Sequence, residues 1–440
     1  MGKKQALTPT MIADFHNDFV SRETANVISR SVMKNGINAS SEDQQVSQRL
    51  NRVFSLEVKT GQVSNQKHSG RCWLFATLNT LRHEFAVQNN IQDFELSQNY
   101  LFFWDRVERA NTFLQNILDT AEKDVKDREV AFYLSMASSD GGQWDMAASL
   151  VEKYGLVPSY VMPETFNTNN TTEIDDVMNL KLRKDALTLR SMVEQQATQK
   201  EIEFARNKMI SEIYKLSAYA FGEPPVKFDL EYRDDDQKYH RTADLTPQKF
   251  YQDYFKMQLT DYVVVTNAPD HDYNRLYALP SQDNVAGGMP IQFLNVEMDV
   301  LRQTAIAQLE DGETVWFGND VLQQLDRKRG LLDSKLYRRG ELLDVDLEMT
   351  KAQRLAYGQA EVTHAMTLTG VNLVEEKPNR WKVENSWGKE NGEKGYFVMS
   401  DQWFEDYTYE VVVNKKYLTT EQQKIAAAKP EILSAWDSLQ

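Results

Sequence analysis

Cys72 is the only cysteine in a chain of 440 residues, and it closes the segment Gln66-Lys67-His68-Ser69-Gly70-Arg71-Cys72-Trp73. A thiol attacks a carbonyl as its thiolate, so a cysteine nucleophile needs a lowered pKa. The unpaired N–H groups and dipole of a helix N-terminus favour an anion, and the helical pattern that begins at Cys72 puts the sulfur at such a place. A nearby imidazolium would do the rest. The oxyanion formed on the attacked carbonyl then needs donors. The Cys72 backbone N–H can supply one, and the side-chain amide of Gln66, just upstream across a glycine-containing loop, a second. Losing one such donor costs about 10²–10³ in rate.

The base must come from elsewhere in the chain. There are six histidines: His16, His68, His83, His240, His271 and His364. Only His364 stands at the edge of an expected strand, Thr363 to Gly370, with an Asn-Ser-Trp-Gly segment soon after it. The next strand ends in Val383-Glu384-Asn385-Ser386-Trp387-Gly388. A hairpin between the two would bring Asn385 beside His364, where its amide oxygen would fix the imidazole's tautomer and orientation. Each residue also has a plainer reading. A lone cysteine is more often a buried small hydrophobe, a lone strand histidine a satisfied core residue, and Asn-Ser-Trp-Gly a turn. The argument lies in their combination and order.

The elements that must position these groups follow from periodicity. Phe75, Leu78, Leu81 and Phe85 recur at helical spacing after Cys72 and predict one buried face. A second helix is expected from Ser97, its N-cap, to Asn111. Residues 176–219 carry Leu180, Leu187, Leu189, Ile202, Met209 and Ile213 among many charges, the pattern of two long amphipathic helices, ended by Gly222-Glu223-Pro224-Pro225. Asp234-Asp235-Asp236 reads as a solvated turn, since it lacks the ligand spacing of a calcium loop. Asn51–Leu56, Tyr262–Val265, Val315–Phe317, Met366–Val374, Trp381–Asn385, Tyr396–Met399 and Tyr409–Val413 read as strands. A helical N-terminal half thus faces a β-rich C-terminal half. With 41% hydrophobic and 26% charged residues, the composition is that of a folded globular chain. A single cysteine excludes an intrachain disulfide and suits a reducing compartment. It also leaves too few thiolates for a cysteine-built zinc site. No apolar run of about 18 residues is present to span a membrane, and the N-terminus lacks a signal-peptide pattern, so a cytoplasmic location is expected. The net charge of −15 disfavours a nucleic-acid partner.

Gln66…Gly70-Arg71-Cys72-Trp73, Thr363-His364-Ala365 and Val383-Glu384-Asn385-Ser386-Trp387-Gly388, in that order, resemble the papain-like cysteine peptidases. The chain looks most like their aminopeptidase C and bleomycin hydrolase branch. Leu96-Ser97-Gln98-Asn99-Tyr100, Asp140-Gly141-Gly142-Gln143-Trp144, Glu231-Tyr232-Arg233-Asp234, Val315-Trp316-Phe317-Gly318 and Leu433-Ser434-Ala435-Trp436-Asp437 extend the likeness over most of the chain. The resemblance implies an α+β, papain-like two-lobe fold. It divides the chain into an N-terminal extension (1–60), a catalytic domain (61–430) with a mainly helical insertion at about 110–260, and a C-terminal arm (431–440). It implies Cys72 as nucleophile, His364 as base, Asn385 as orienting amide and Gln66 as oxyanion donor, acting on peptides with no metal and no cofactor. It places Gly141 and Gly142 along the cleft wall, where a plain turn is the alternative, and Trp387 over the His364–Asn385 bond. It also implies a homohexamer. In the family the terminal carboxylate of the arm, here that of Gln440, holds the substrate's α-amino group. Only Ser438, Leu439 and Gln440 follow Asp437, a shorter arm than usual, which would allow endopeptidase or oligopeptidase cleavage, alone or mixed with aminopeptidase cleavage. Arg71 stands where such enzymes often have a small residue. An acyl or amide transferase on the same groups, or a non-catalytic oligomeric scaffold, are the alternatives.

Overall fold

The computed structural model describes residues 4–439. Five segments build the helical side of the site: α1 (Cys72–Asn89), α2 (Gln98–Asp119), α3 (Trp144–Tyr154), α4 (Thr172–Glu194) and α5 (Gln199–Phe221). The Ser97 hydroxyl caps α2 by accepting the Tyr100 N–H. This helix runs on past Asn111 to Asp119 because Phe113, Leu114 and Ile117 pack against α4 and α5. A Thr198–Glu201 capping box opens α5, and Gly222 at φ 89° closes it. The α1 helix departs from the one-faced expectation. Every residue from Cys72 to His83 is buried, because the helix runs between the other helices and the sheet rather than along the surface.

The strands that concern the site are β1 (Tyr262–Thr266), β2 (Arg275–Ala278), β3 (Gln292–Asn295), β4 (Val315–Asn319), β5 (His364–Val374), β6 (Lys377–Glu384), β7 (Tyr396–Ser400), β8 (Thr408–Asn414) and β9 (Glu431–Ile432). They lie in one sheet in the order β9-β2-β3-β1-β8-β4-β5-β6-β7, which continues into short strands at Leu331–Leu332 and Leu325–Asp326. Side chains alternate between its two faces. Trp316, Ala365 and Val412 join the core shared with α1 and α3. Phe317, Met366, Val411 and Val413 join a second core with Leu301, Leu309, Trp403 and Phe404. β4 is buried at every position because a core packs on each of its faces, Trp316 on one and Val315 and Phe317 on the other. The expected strand at 51–56 is reduced to Leu56–Glu57, which pairs with β5 at Val371 and Gly370. The Asp234–Asp236 turn is found, but Asp234 is buried and tied to His240 at 2.8 Å. Among the described residues no helix is long and apolar enough to cross a membrane.

Candidate active site

The loop before α1 is fastened to the segment after β6. The Gln66 N–H donates to the Ser386 carbonyl at 2.8 Å, and the Gly388 N–H to the Ser64 carbonyl at 3.1 Å. The Gln66 side chain is held at both ends. Its Oε1 accepts from the Ser386 hydroxyl at 2.6 Å, and its Nε2 donates to the Ser69 carbonyl at 2.6 Å. An amide has two N–H donors, so one remains to serve a ligand.

Arg71, which had no account from sequence, is wholly buried. Its guanidinium holds Glu164 at 2.6 and 3.1 Å, the Thr168 carbonyl at 2.6 Å and the Ser69 hydroxyl at 3.0 Å. It also lies 5.2 Å from the centres of the Phe75 and Phe102 rings. It locks the loop and the start of α1 to the 164–168 segment.

His364 opens β5, and its Nε2 lies 2.9 Å from Asn385 Oδ1. That leaves Nδ1 as the free ring nitrogen. Trp387 lies against the imidazole, ring centres 4.9 Å apart, and the Arg327 guanidinium covers the indole at 4.4 Å. The Cys72 thiol donates to the Gly70 carbonyl at 3.9 Å, and the backbone N–H groups of Ala365, the residue after His364, and of Trp73 favour its anion. Cys72, His364, Gln66, Gly141 and Gly142 line one cleft of about 550 Å³. The four residues expected to act together are thus brought together across the fold.

The electrostatics differ from the expected lowered thiol. Burial pushes the Cys72 thiol up to about 11; the N–H groups of Ala365 and Trp73 oppose it, and Asp140 adds to it. Burial pushes His364 down to about 4, against the bond from Asn385 and with Arg327 nearby. Each charge is unfavourable alone. The charged state such a site tolerates is the pair, thiolate with imidazolium, in which each offsets the other.

Gly142 is a packing requirement as well as part of the cleft wall. A Cβ there would lie 2.7 Å from the Trp73 ring. The Gly141 carbonyl accepts from Arg109. The arm is fixed at several points within residues 431–439. β9 pairs in parallel with β2, and the Leu433 N–H donates to the Ala278 carbonyl. His271 Nε2 lies 3.1 Å from an Asp437 oxygen, and its Nδ1 3.1 Å from Asp270, which accepts from the Ser438 hydroxyl at 2.7 Å. Leu439 is buried. Gln440 lies outside the described residues. Among those described, no group of three or more His, Cys, Asp or Glu is placed to hold a metal ion.

Sequence reasoning missed three supports. Asp140 accepts the Gly70 N–H and the Thr171 hydroxyl, and its carbonyl takes the Trp73 indole N–H at 2.9 Å. Ser386 holds Gln66. Glu384, wholly buried, pairs with Arg82 and with His83 at 2.8 Å, and so ties the residue before Asn385 to α1. The adjacency of Glu384 to Asn385 was the available signal, but its partners lie some three hundred residues away.

Residues 6–440 match the Peptidase C1-like family. Aminopeptidase G of Lactobacillus delbrueckii subsp. lactis is 54% identical over 98% of this chain and 99% of its own length. Aminopeptidase C of Lactobacillus helveticus is 42% identical over 97% and 96%. The crystal structure of pepw from Lactobacillus rhamnosis hn001 superposes with a TM-score of 0.97 at 49% identity, covering 99% of this chain and 98% of that one.

Proposed function

The chain belongs to the Peptidase C1-like family and is a papain-like cysteine peptidase related to the aminopeptidases C, G, E and W, and from that premise we propose that it hydrolyses small peptides through Cys72, His364, Asn385 and Gln66. The observation that carries the reading is the shared cleft. There His364 is bonded to Asn385 through Nε2 and shares the cleft lining with Cys72 and Gln66. In the proposed reaction the Cys72 proton passes to His364 and the thiolate adds to the peptide carbonyl. The oxyanion is met by the free Gln66 N–H and the Cys72 N–H. The tetrahedral species collapses to the acyl-enzyme as His364 protonates the departing amine. Water, deprotonated by His364, then releases the acid and restores the thiol.

Cleavage inside peptides, beside removal of N-terminal residues, is part of the proposal. The cleft is lined by Phe132, Met136 and Asn284 as well as by Gln66, Cys72 and Gly142, and its volume of about 550 Å³ supports room for an extended peptide. A cytoplasmic location and a homohexameric assembly complete the reading. The test compares a free-amine aminoacyl substrate with N-acylated peptides, using wild type and Cys72→Ala. Both substrate types are expected to be cleaved by wild type and neither by the variant. Cleavage of the free amine alone overturns the internal-cleavage part. Activity retained in Cys72→Ala overturns the site.

A further inference from the structure

A buried charge cluster adjoins the proposed site without taking part in the chemistry above. Glu384 ends β6, is fully buried and immediately precedes Asn385. Both of its carboxylate oxygens are used. Oε1 accepts from the Arg82 guanidinium, and Oε2 lies 2.8 Å from His83 Nε2. Arg82 and His83 are consecutive residues of α1, buried like their partner. The Arg82 nitrogen that meets Glu384 also donates to the Gln62 carbonyl at 2.7 Å, in the stretch that leads to Gln66. The segments carrying Cys72, Gln66 and Asn385 are thus joined through one arginine and one carboxylate.

Asn385 depends on its neighbours for its place. Its Oδ1 faces His364 at 2.9 Å and accepts the Ser386 N–H at 2.8 Å. Its Nδ2 is buried and hydrogen-bonds to nothing among the described residues. The hold comes from either side: from Ser386 through Gln66, and from Glu384 through α1. Within the sheet, Glu384 stands opposite Thr367 of β5 and Tyr396 of β7. That ladder fixes β6 among the strands but does not fix α1 across them. Apolar packing is non-directional, whereas hydrogen bonds to a carboxylate are directional. Anchors on consecutive helical residues point about 100° apart round the axis, so together they oppose both sliding and rotation of α1. Arg82 stands ten positions beyond Cys72 on α1, about 15 Å along the axis, and a helix carries an axial slide undiminished over that distance. A buried ion pair adds little stability over apolar residues of the same volume. What it supplies here is register.

We propose that Glu384 is a positioning residue, whose bonds to Arg82 and His83 set the register of α1 against β6 and so the spacing of Cys72 from His364 and Asn385. The inference deepens the peptidase reading above and rests on it. Glu384→Gln alone strands the buried Arg82 cation, so it is combined with Arg82→Gln, which leaves no unmatched charge. The double variant is expected to keep the wild-type circular dichroism. Its kcat is expected to fall about a hundredfold, the scale of a 1 Å misplacement, with KM within about twofold of wild type. Alkylation of Cys72 by iodoacetamide at pH 7 is expected to slow about tenfold or more. A second variant, Arg82→Lys, keeps the charge but not the fork that reaches both Glu384 and Gln62, and is expected to lose about tenfold in kcat. Wild-type kcat in either folded variant overturns the positioning role, and so does a raised KM with kcat unchanged. Alkylation does not require peptide hydrolysis. An unchanged labelling rate therefore overturns the positioning role alone, whereas peptide cleavage that survives in Cys72→Ala overturns the thiol mechanism beneath it.

Discussion

A buried thiol beside a buried imidazole is a poor acid on its own and a good one in partnership. Burial, the largest influence on each, holds Cys72 up at about 11 and His364 down at about 4. A thiol with a pKa near 11 is ionised at pH 7 to about one part in 10⁴. The sign of the prediction follows. With His364 present, the proton lost from sulfur is kept within the pair, and alkylation of Cys72 by iodoacetamide is expected to be fast near neutral pH. In His364→Ala the thiol must ionise alone. Its alkylation rate is expected to fall by a factor of a thousand or more at pH 7, then to climb about tenfold per pH unit toward 11. With a single thiol in the chain, the label reports one site. Equal rates in the two proteins at pH 7 would remove the imidazole from the nucleophile's activation. The four side chains of the proposed site were legible in sequence because each sits in a run of distinctive neighbours. Asp140 was not, since its meaning comes from Gly70, Trp73 and Thr171, which the fold alone brings near.

Among the elements, α1 sets the geometry of the site, and its entry is held by Arg71. The pair with Glu164 spans 93 residues, and the guanidinium also satisfies the Thr168 carbonyl and the Ser69 hydroxyl. Glu164 keeps 27% of its side-chain surface exposed, so removing the cation does not strand a fully buried charge. The cost is then at the lower end for a broken buried pair, about 3 kcal/mol. Arg71→Met, which preserves length and apolar packing, is expected to lower the midpoint of urea unfolding accordingly. It should also lower kcat by loosening the loop that carries Gln66. An unfolding curve within about 0.5 kcal/mol of wild type would make Arg71 an ordinary surface-grade residue. The helices and strands were mostly visible as periodicity. Two things were not: that α1 is buried all round, and that β5 begins at His364 beside the Cys72 sulfur. Helical spacing describes a helix's own faces and is silent about how many neighbours cover them.

At the scale of the whole molecule, the proposed assembly must reconcile two opposing features. Each chain carries a net charge of −15, so copies repel one another at low ionic strength. Yet α4 turns apolar side chains outward at helical spacing: Val177, Leu180 and Leu187 are all exposed, the latter two by 74% and 60%. Scattered exposed leucines are normal on a monomer, but a row of them along one helix face is the surface an interface would cover. If six copies associate through this face, sedimentation is expected to give a particle near six times 50.9 kDa, held more firmly as salt rises. Leu180→Glu with Leu187→Glu is expected to return it to the single-chain mass with unchanged circular dichroism, because neither side chain packs in the core of its own chain. A wild-type particle of single-chain mass across salt concentrations would make the row ordinary surface and leave each cleft open directly to solvent.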